Sequence, residues 1–105
     1  MPMQKIINGK RYDTKTATLV AKDWNGLCSS DFRYLLKELY ITERGLWFLA
    51  GEGGCMTEYA QSYAGGSCGG SDLEALSPEE AYKVLEKWRE VAAIEKYFPE
   101  KVTDA

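Results

Sequence analysis

Residues 39–49 read LYITERGLWFL, and the fold class follows from how that stretch is parsed. Leu39-Tyr40-Ile41 and Leu46-Trp47-Phe48-Leu49 are rich in aromatic and β-branched side chains, which suit a pleated, packed surface. Between them, Thr42-Glu43-Arg44-Gly45 has the length of a hairpin loop, and Gly45 is free to take a left-handed conformation there. The stretch predicts a β-hairpin at the centre of an antiparallel sheet. Just upstream, Phe32, Leu35, Leu36, Leu39 and Tyr40 also fit helical spacing. A helix before Leu39 would only make the hairpin begin later.

Moving towards the N-terminus, Lys5-Ile6-Ile7 and Arg11-Tyr12 flank Asn8-Gly9, a dipeptide suited to the positive φ angles of a tight turn, so a second hairpin is expected. Asp13 stands where a helix N-cap would, and Ala17, Leu19, Val20 and Ala21 predict a short docked helix over residues 14–22. Asn25-Gly26 would end it.

Towards the C-terminus, Gly51-Glu52-Gly53-Gly54 and Gly65-Gly66-Ser67-Cys68-Gly69-Gly70 predict turns and loops. Residues 56–63 between them read either as a strand or as one helical turn. Leu73 to Leu76, just before the next helix signal, are expected to be a short strand. Ser77-Pro78-Glu79-Glu80 then combines an N-cap serine, proline in the first turn and glutamate at N3, a capping box. The apolar stripe of Ala81, Leu85, Trp88 and Ala92 extends the predicted helix to Tyr97, a span of ~30 Å. The sum is an α+β fold: a small antiparallel sheet of two hairpins plus a short strand, packed against a short N-terminal helix and a long C-terminal one. Trp24, Trp47 and Trp88 are expected at the core or its edge. With 105 residues and no internal repeat or linker, the chain is expected to form one domain, 1–105.

Composition narrows function. Hydrophobic residues make up 45% and charged residues 28%, ordinary globular proportions that argue against wholesale disorder. No apolar run reaches the ~18 residues a membrane helix needs, and Met1-Pro2-Met3-Gln4-Lys5 leads into no signal segment, so a cytoplasmic protein without membrane contact is expected. Histidine is absent, which excludes histidine-based triads and removes the commonest zinc ligand. Cys28, Cys55 and Cys68 are odd in number and lack paired spacing. They read as reduced thiols, with a zinc site as the minority alternative. Gly51-Glu52-Gly53-Gly54 lacks the pattern and the lysine of a phosphate loop, and no cofactor is expected.

The net charge of −3 is unevenly spread. Residues 1–22 carry five Lys/Arg against one Asp, whereas residues 23–76 carry eight Asp/Glu against three Lys/Arg, a net of −5. An acidic middle repels nucleic acid and favours a basic partner surface, although solvated carboxylates are the commoner explanation. Glu52 and Glu58 could serve as a carboxylate pair for glycoside chemistry, but surface acids are far commoner. With Tyr59 and Tyr63 beside the glycine-rich turns, and Asp72 and Glu74 further on, they read as a partner-binding patch, tyrosine offering apolar area with a polar tip. Tyrosines that merely cover the core are the competing interpretation.

Several segments together resemble a known family. Tyr12-Asp13-Thr14-Lys15-Thr16-Ala17, Leu39-Tyr40, Gly45, Trp47-Phe48-Leu49, Gly51-Glu52-Gly53-Gly54 and Leu76-Ser77-Pro78-Glu79-Glu80-Ala81 are similar to a family of small proteins of bacteriophages and mobile elements, some linked to CRISPR inhibition. The resemblance runs from residue 5 to about residue 90. It implies a non-enzymatic counter-defence protein in a bacterial host cell, binding a CRISPR-Cas effector. The alternative is an accessory protein of a phage or mobile element that self-associates, as a homodimer, through its sheet edge or terminal helix.

Overall fold

The structure, a computed structural model, describes residues 3–63 and 66–105, without the side chains of residues 62–68. The side chains of Tyr63 and Cys68, singled out above, therefore lie outside the described residues.

The chain is α+β. Strands β1 (Gln4–Ile7) and β2 (Lys10–Asp13) form the first hairpin, turning through Asn8 and Gly9 with both φ angles positive. Strands β3 (Thr18–Trp24), β4 (Leu35–Ile41), β5 (Trp47–Gly53) and β8 (Gly70–Leu76) make a four-stranded antiparallel sheet in the order β3-β4-β5-β8. Between β5 and β8, β6 (Gln61–Tyr63) pairs with β7 (Gly66–Cys68) as a separate ribbon. The LYITERGLWFL segment is the β4–β5 hairpin at the sheet's centre, with Gly45 at φ +80°.

Both faces of β5 are buried, which explains its unbroken apolar run. Trp47 and Leu49 point to one face, joining Leu39, Ala21, Ala81, Leu85, Ile94 and Phe98. Phe48 and Ala50 point to the other, joining Tyr40, Leu73 and Tyr12. Phe48 is wholly buried, stacked on Tyr40 at 5.1 Å and meeting the edge of Tyr12 at 5.6 Å. The first hairpin thus does not extend the sheet as expected. It lies across one face as a layer of its own, because Ile7 and Tyr12 are needed to cover Phe48.

The expected N-terminal helix is replaced by a turn and a strand. Asp13 caps no helix: its Oδ1 accepts the Lys15 N–H at 2.9 Å, and its carbonyl accepts that of Ala17 at 3.1 Å. A nine-residue run is too short to sustain a helix alone, and residues 18–24 satisfy their backbone against β4 instead, with a register irregularity between Leu19 and Ala21.

The long C-terminal helix is two helices, α1 (Pro78–Lys87) and α2 (Val91–Tyr97), followed by a 3-10 turn at Pro99–Lys101. The capping box is present: Ser77 Oγ accepts the Glu80 N–H at 3.1 Å and Glu80 Oε1 accepts the Ser77 N–H at 2.9 Å. The break is a Schellman motif, with the Glu90 N–H on the Leu85 carbonyl at 3.0 Å, the Arg89 N–H on that of Glu86 at 3.1 Å, and Arg89 at φ +60°. A straight ~30 Å helix would outrun seven-residue strands of ~23 Å. The reversal instead brings Phe98 and Tyr97 back onto Trp47, each ring 5.3 Å away. Of the three tryptophans, Trp47 is buried and Trp88 half-buried against the helix-side core, but Trp24 is 55% exposed. It stands on the edge strand β3 and donates from Nε1 to the Leu27 carbonyl. No helix is long and apolar enough to cross a membrane.

Candidate functional site

The strand register lines up two cross-strand rows on the helix-side face. Lys37, Gly51 and Asp72 form one, and Leu39, Leu49 and Glu74 the next. The turn after β5 closes over the glycine row. Thr57 Oγ1 donates to the Gly54 carbonyl at 2.8 Å, and the Ala60 N–H bonds to the Thr57 carbonyl at 3.0 Å. This folds the Tyr59 phenol onto Gly51 and the Thr57 side chain onto Gly53, where an added Cβ at either glycine would overlap them. The Gly51-Glu52-Gly53-Gly54 segment therefore seats side chains against the sheet and cradles no phosphate.

Between this turn and the β8 edge lies an open groove of about 470 Å³, with Leu49 in its lining and Glu58, Tyr59, Gln61, Asp72 and Glu74 around it. Glu58 is held by Lys37 Nζ at 2.6 Å and Asp72 by Lys5 Nζ at 2.9 Å. The Glu74 carboxylate makes no ion pair among the described residues. Burial first, then the negative charges of Glu58, Glu74 and Asp72, pushes the Tyr59 phenol up to about 12. Hydrogen bonds from the Lys5 ammonium and the Leu73 N–H hold the Asp72 carboxyl below its usual range. The groove thus offers a neutral phenol wall and three carboxylates. The two paired carboxylates are largely solvent-facing, with 59% of the Glu58 and 65% of the Asp72 side chain exposed.

Of the six residues singled out in the sequence, Glu58, Tyr59, Asp72 and Glu74 come together here. Glu52 does not. It follows Gly51 on β5, so it projects from the opposite face, beside Leu36 and Ser71 in register, and its Oε1 accepts the Tyr34 hydroxyl at 3.0 Å. Burial above all, with that hydrogen bond, raises the Tyr34 phenol. Glu52 and Glu58, on opposite sides of the sheet, form no glycosidase-like pair. Among the described residues no three of Cys, Asp and Glu gather as metal ligands; Cys28 is exposed and Cys55 half-buried.

Sequence reasoning missed Gly51, Lys5 and Lys37. Gly51 did leave a signal, since a glycine inside a strand marks a close approach by another group. The lysines left none, because their partners lie 67 and 21 residues away along the chain. Comparison of the chain with known protein families, with curated proteins and with solved structures finds no match to any of them.

Proposed function

We propose that the chain acts by binding, as a counter-defence protein of a phage or mobile element that sets its acidic groove against a basic surface of a CRISPR-Cas effector and blocks it in the bacterial cytoplasm. The observation that carries the binding reading is the convergence of Glu58, Tyr59, Asp72 and Glu74 on one open groove; the identity of the partner rests on the family resemblance. A groove whose carboxylates stand at the surface suits side chains reaching in from another macromolecule. The exposed Lys5–Asp72 pair contributes only ~0–1 kcal/mol, whereas Lys37 holds Glu58 with only a quarter of its own side chain exposed. An arginine fork from a partner could pair with the Glu74 carboxylate while stacking on the Tyr59 ring.

Capture of purified effectors by the chain tests this. A Glu58→Lys, Glu74→Lys double variant should associate more slowly and lose most of the salt dependence of binding. Unchanged rate and salt dependence would remove the groove from the interface. Normal target binding and cleavage by every effector at saturating protein would remove the inhibitor.

A further inference from the structure

The basic N-terminal segment takes little part in the acidic groove. Of its five cations, only Lys5 is engaged by a carboxylate among the described residues, that of Asp72. The β1–β2 hairpin carries Lys10 and Arg11 to the end of the sheet where β4 turns into β5, and Arg44 faces them there from the β4–β5 loop. Between hairpin and loop lies an open groove of about 580 Å³. All three cations are exposed, and none makes an ion pair among the described residues. Thr42 adds a hydroxyl: its Oγ1 accepts the Leu46 N–H at 3.1 Å, which leaves its own hydrogen to donate. Two carboxylates share the lining. Asp13 is half-buried and committed to its own turn through the Lys15 N–H at 2.9 Å, while Glu43 is exposed on the loop beside Arg44. With Lys15 counted, this end of the molecule sets four cations against those two acids, a positive surplus on a chain whose net charge is −3.

We infer that this groove holds single-stranded nucleic acid by its phosphates. Guanidinium forks match phosphate oxygens two at a time, and Arg11 and Arg44 reach the groove from separate walls, so each takes one phosphate, with Lys10 and the Thr42 hydroxyl beside them. An open, positively charged channel between two loops is a shape that tracks a single backbone. No aromatic side chain lines it, so the bases have nothing to stack on and binding is indifferent to their identity. An acidic peptide would need several carboxylates in the right order to meet three cations, whereas a phosphodiester chain presents one charge per nucleotide whatever its sequence. The acidic groove does not stand in the way. Leu46 lines the one and Leu49 the other, on opposite faces of the sheet. The ~10 Å of strand between these two residues already exceeds the Debye length of ~8 Å at physiological ionic strength.

Fluorescence anisotropy of a labelled oligothymidylate titrated with the purified chain reads the site directly, with no effector present. Three phosphate contacts give a slope of log affinity against log salt of about −2, so affinity should fall about 20-fold between about 50 and about 200 mM salt. Arg11→Gln and Arg44→Gln, both at exposed positions, should each make that slope shallower by about 0.7. Lys22→Gln and Lys83→Gln remove exposed cations outside the groove and should leave it unchanged. Oligoadenylate should bind as tightly as oligothymidylate, and oligoglutamate should compete poorly with either. No binding at low salt, a preference for one base, competition by oligoglutamate at equal charge, or a slope that falls as much with Lys22→Gln as with Arg44→Gln would each overturn the proposal.

Discussion

The seat of Tyr59 on Gly51 makes Gly51→Ala the most informative single change. A methyl group there would overlap the phenol oxygen and its ring carbon and lie 2.7 Å from Cε2. The ring cannot move aside freely either, because hydrogen bonds from the Tyr59 and Ala60 N–H groups to Thr57 tie its turn down. Forcing a methyl into a packed contact costs ~1–3 kcal/mol. Gly51 does not lie in the left-handed region, so alanine also recovers ~0.4–1 kcal/mol by restricting the unfolded chain. The net loss is about 1–2 kcal/mol, and for a domain of this size each kcal/mol lowers Tm by roughly 4–8 °C. A double-mutant cycle with Tyr59→Ala, followed by urea unfolding, isolates the contact. In the Tyr59→Ala background Gly51→Ala should be neutral or stabilising, giving a coupling of about 1–3 kcal/mol. The same variant should release the Tyr59 phenol from about 12 towards its ordinary value of about 10, visible by ultraviolet titration. An equal loss of stability in both backgrounds, with the phenol titrating unchanged, would refute the seating of the ring and with it the shape of the groove.

Two further outcomes follow from the same physics. Arg89 holds a left-handed conformation at the helix break, which costs a side-chain-bearing residue roughly 1–2 kcal/mol; Arg89→Gly should therefore raise the guanidinium midpoint by close to 1 kcal/mol of stability while Arg89→Ala does not, and a destabilising glycine would count against the Schellman geometry. Tyr40 and Tyr59 are both pushed up to about 12, so between about pH 10 and 12 the unfolded chain releases protons that the folded one keeps. Stability is whole below about pH 10 and falls as pH rises through that window; Tyr59→Phe should make the fall shallower, and a flat profile would contradict the burial of both phenols.

What could be read in advance was local. The β4–β5 hairpin, the Asn8-Gly9 turn and the Ser77 capping box each depend on residues within a few positions of one another, where side-chain geometry acts directly on the backbone. The N-terminal helix failed because Ala17, Leu19, Val20 and Ala21 suit either period over so short a run. The deciding interaction was pairing with Leu36–Tyr40, far along the chain. The long helix failed because its apolar stripe continues through Trp88 and Ala92, while nothing about arginine announces a left-handed residue. Glu58, Tyr59, Asp72 and Glu74, singled out by charge and side-chain type, do line one groove. Glu52 was misplaced because a one-residue step along a strand changes the face, and that register depends on long-range pairing.

The clasp of Lys5 on β8 bears on how the protein behaves in a crowded cell. Besides its bond to Asp72, Lys5 Nζ donates to the Leu73 carbonyl at 3.2 Å, a backbone acceptor on the sheet's outermost strand. An invading strand would have to evict a charged ammonium before it could add there, which is how natural sheets discourage runaway stacking. At the opposite margin, β3 carries an irregular register and the cation of Lys22, features that likewise spoil a flat template. With both rims guarded, molecules have little opportunity to polymerise end on end, and a concentrated solution should stay clear of fibrils.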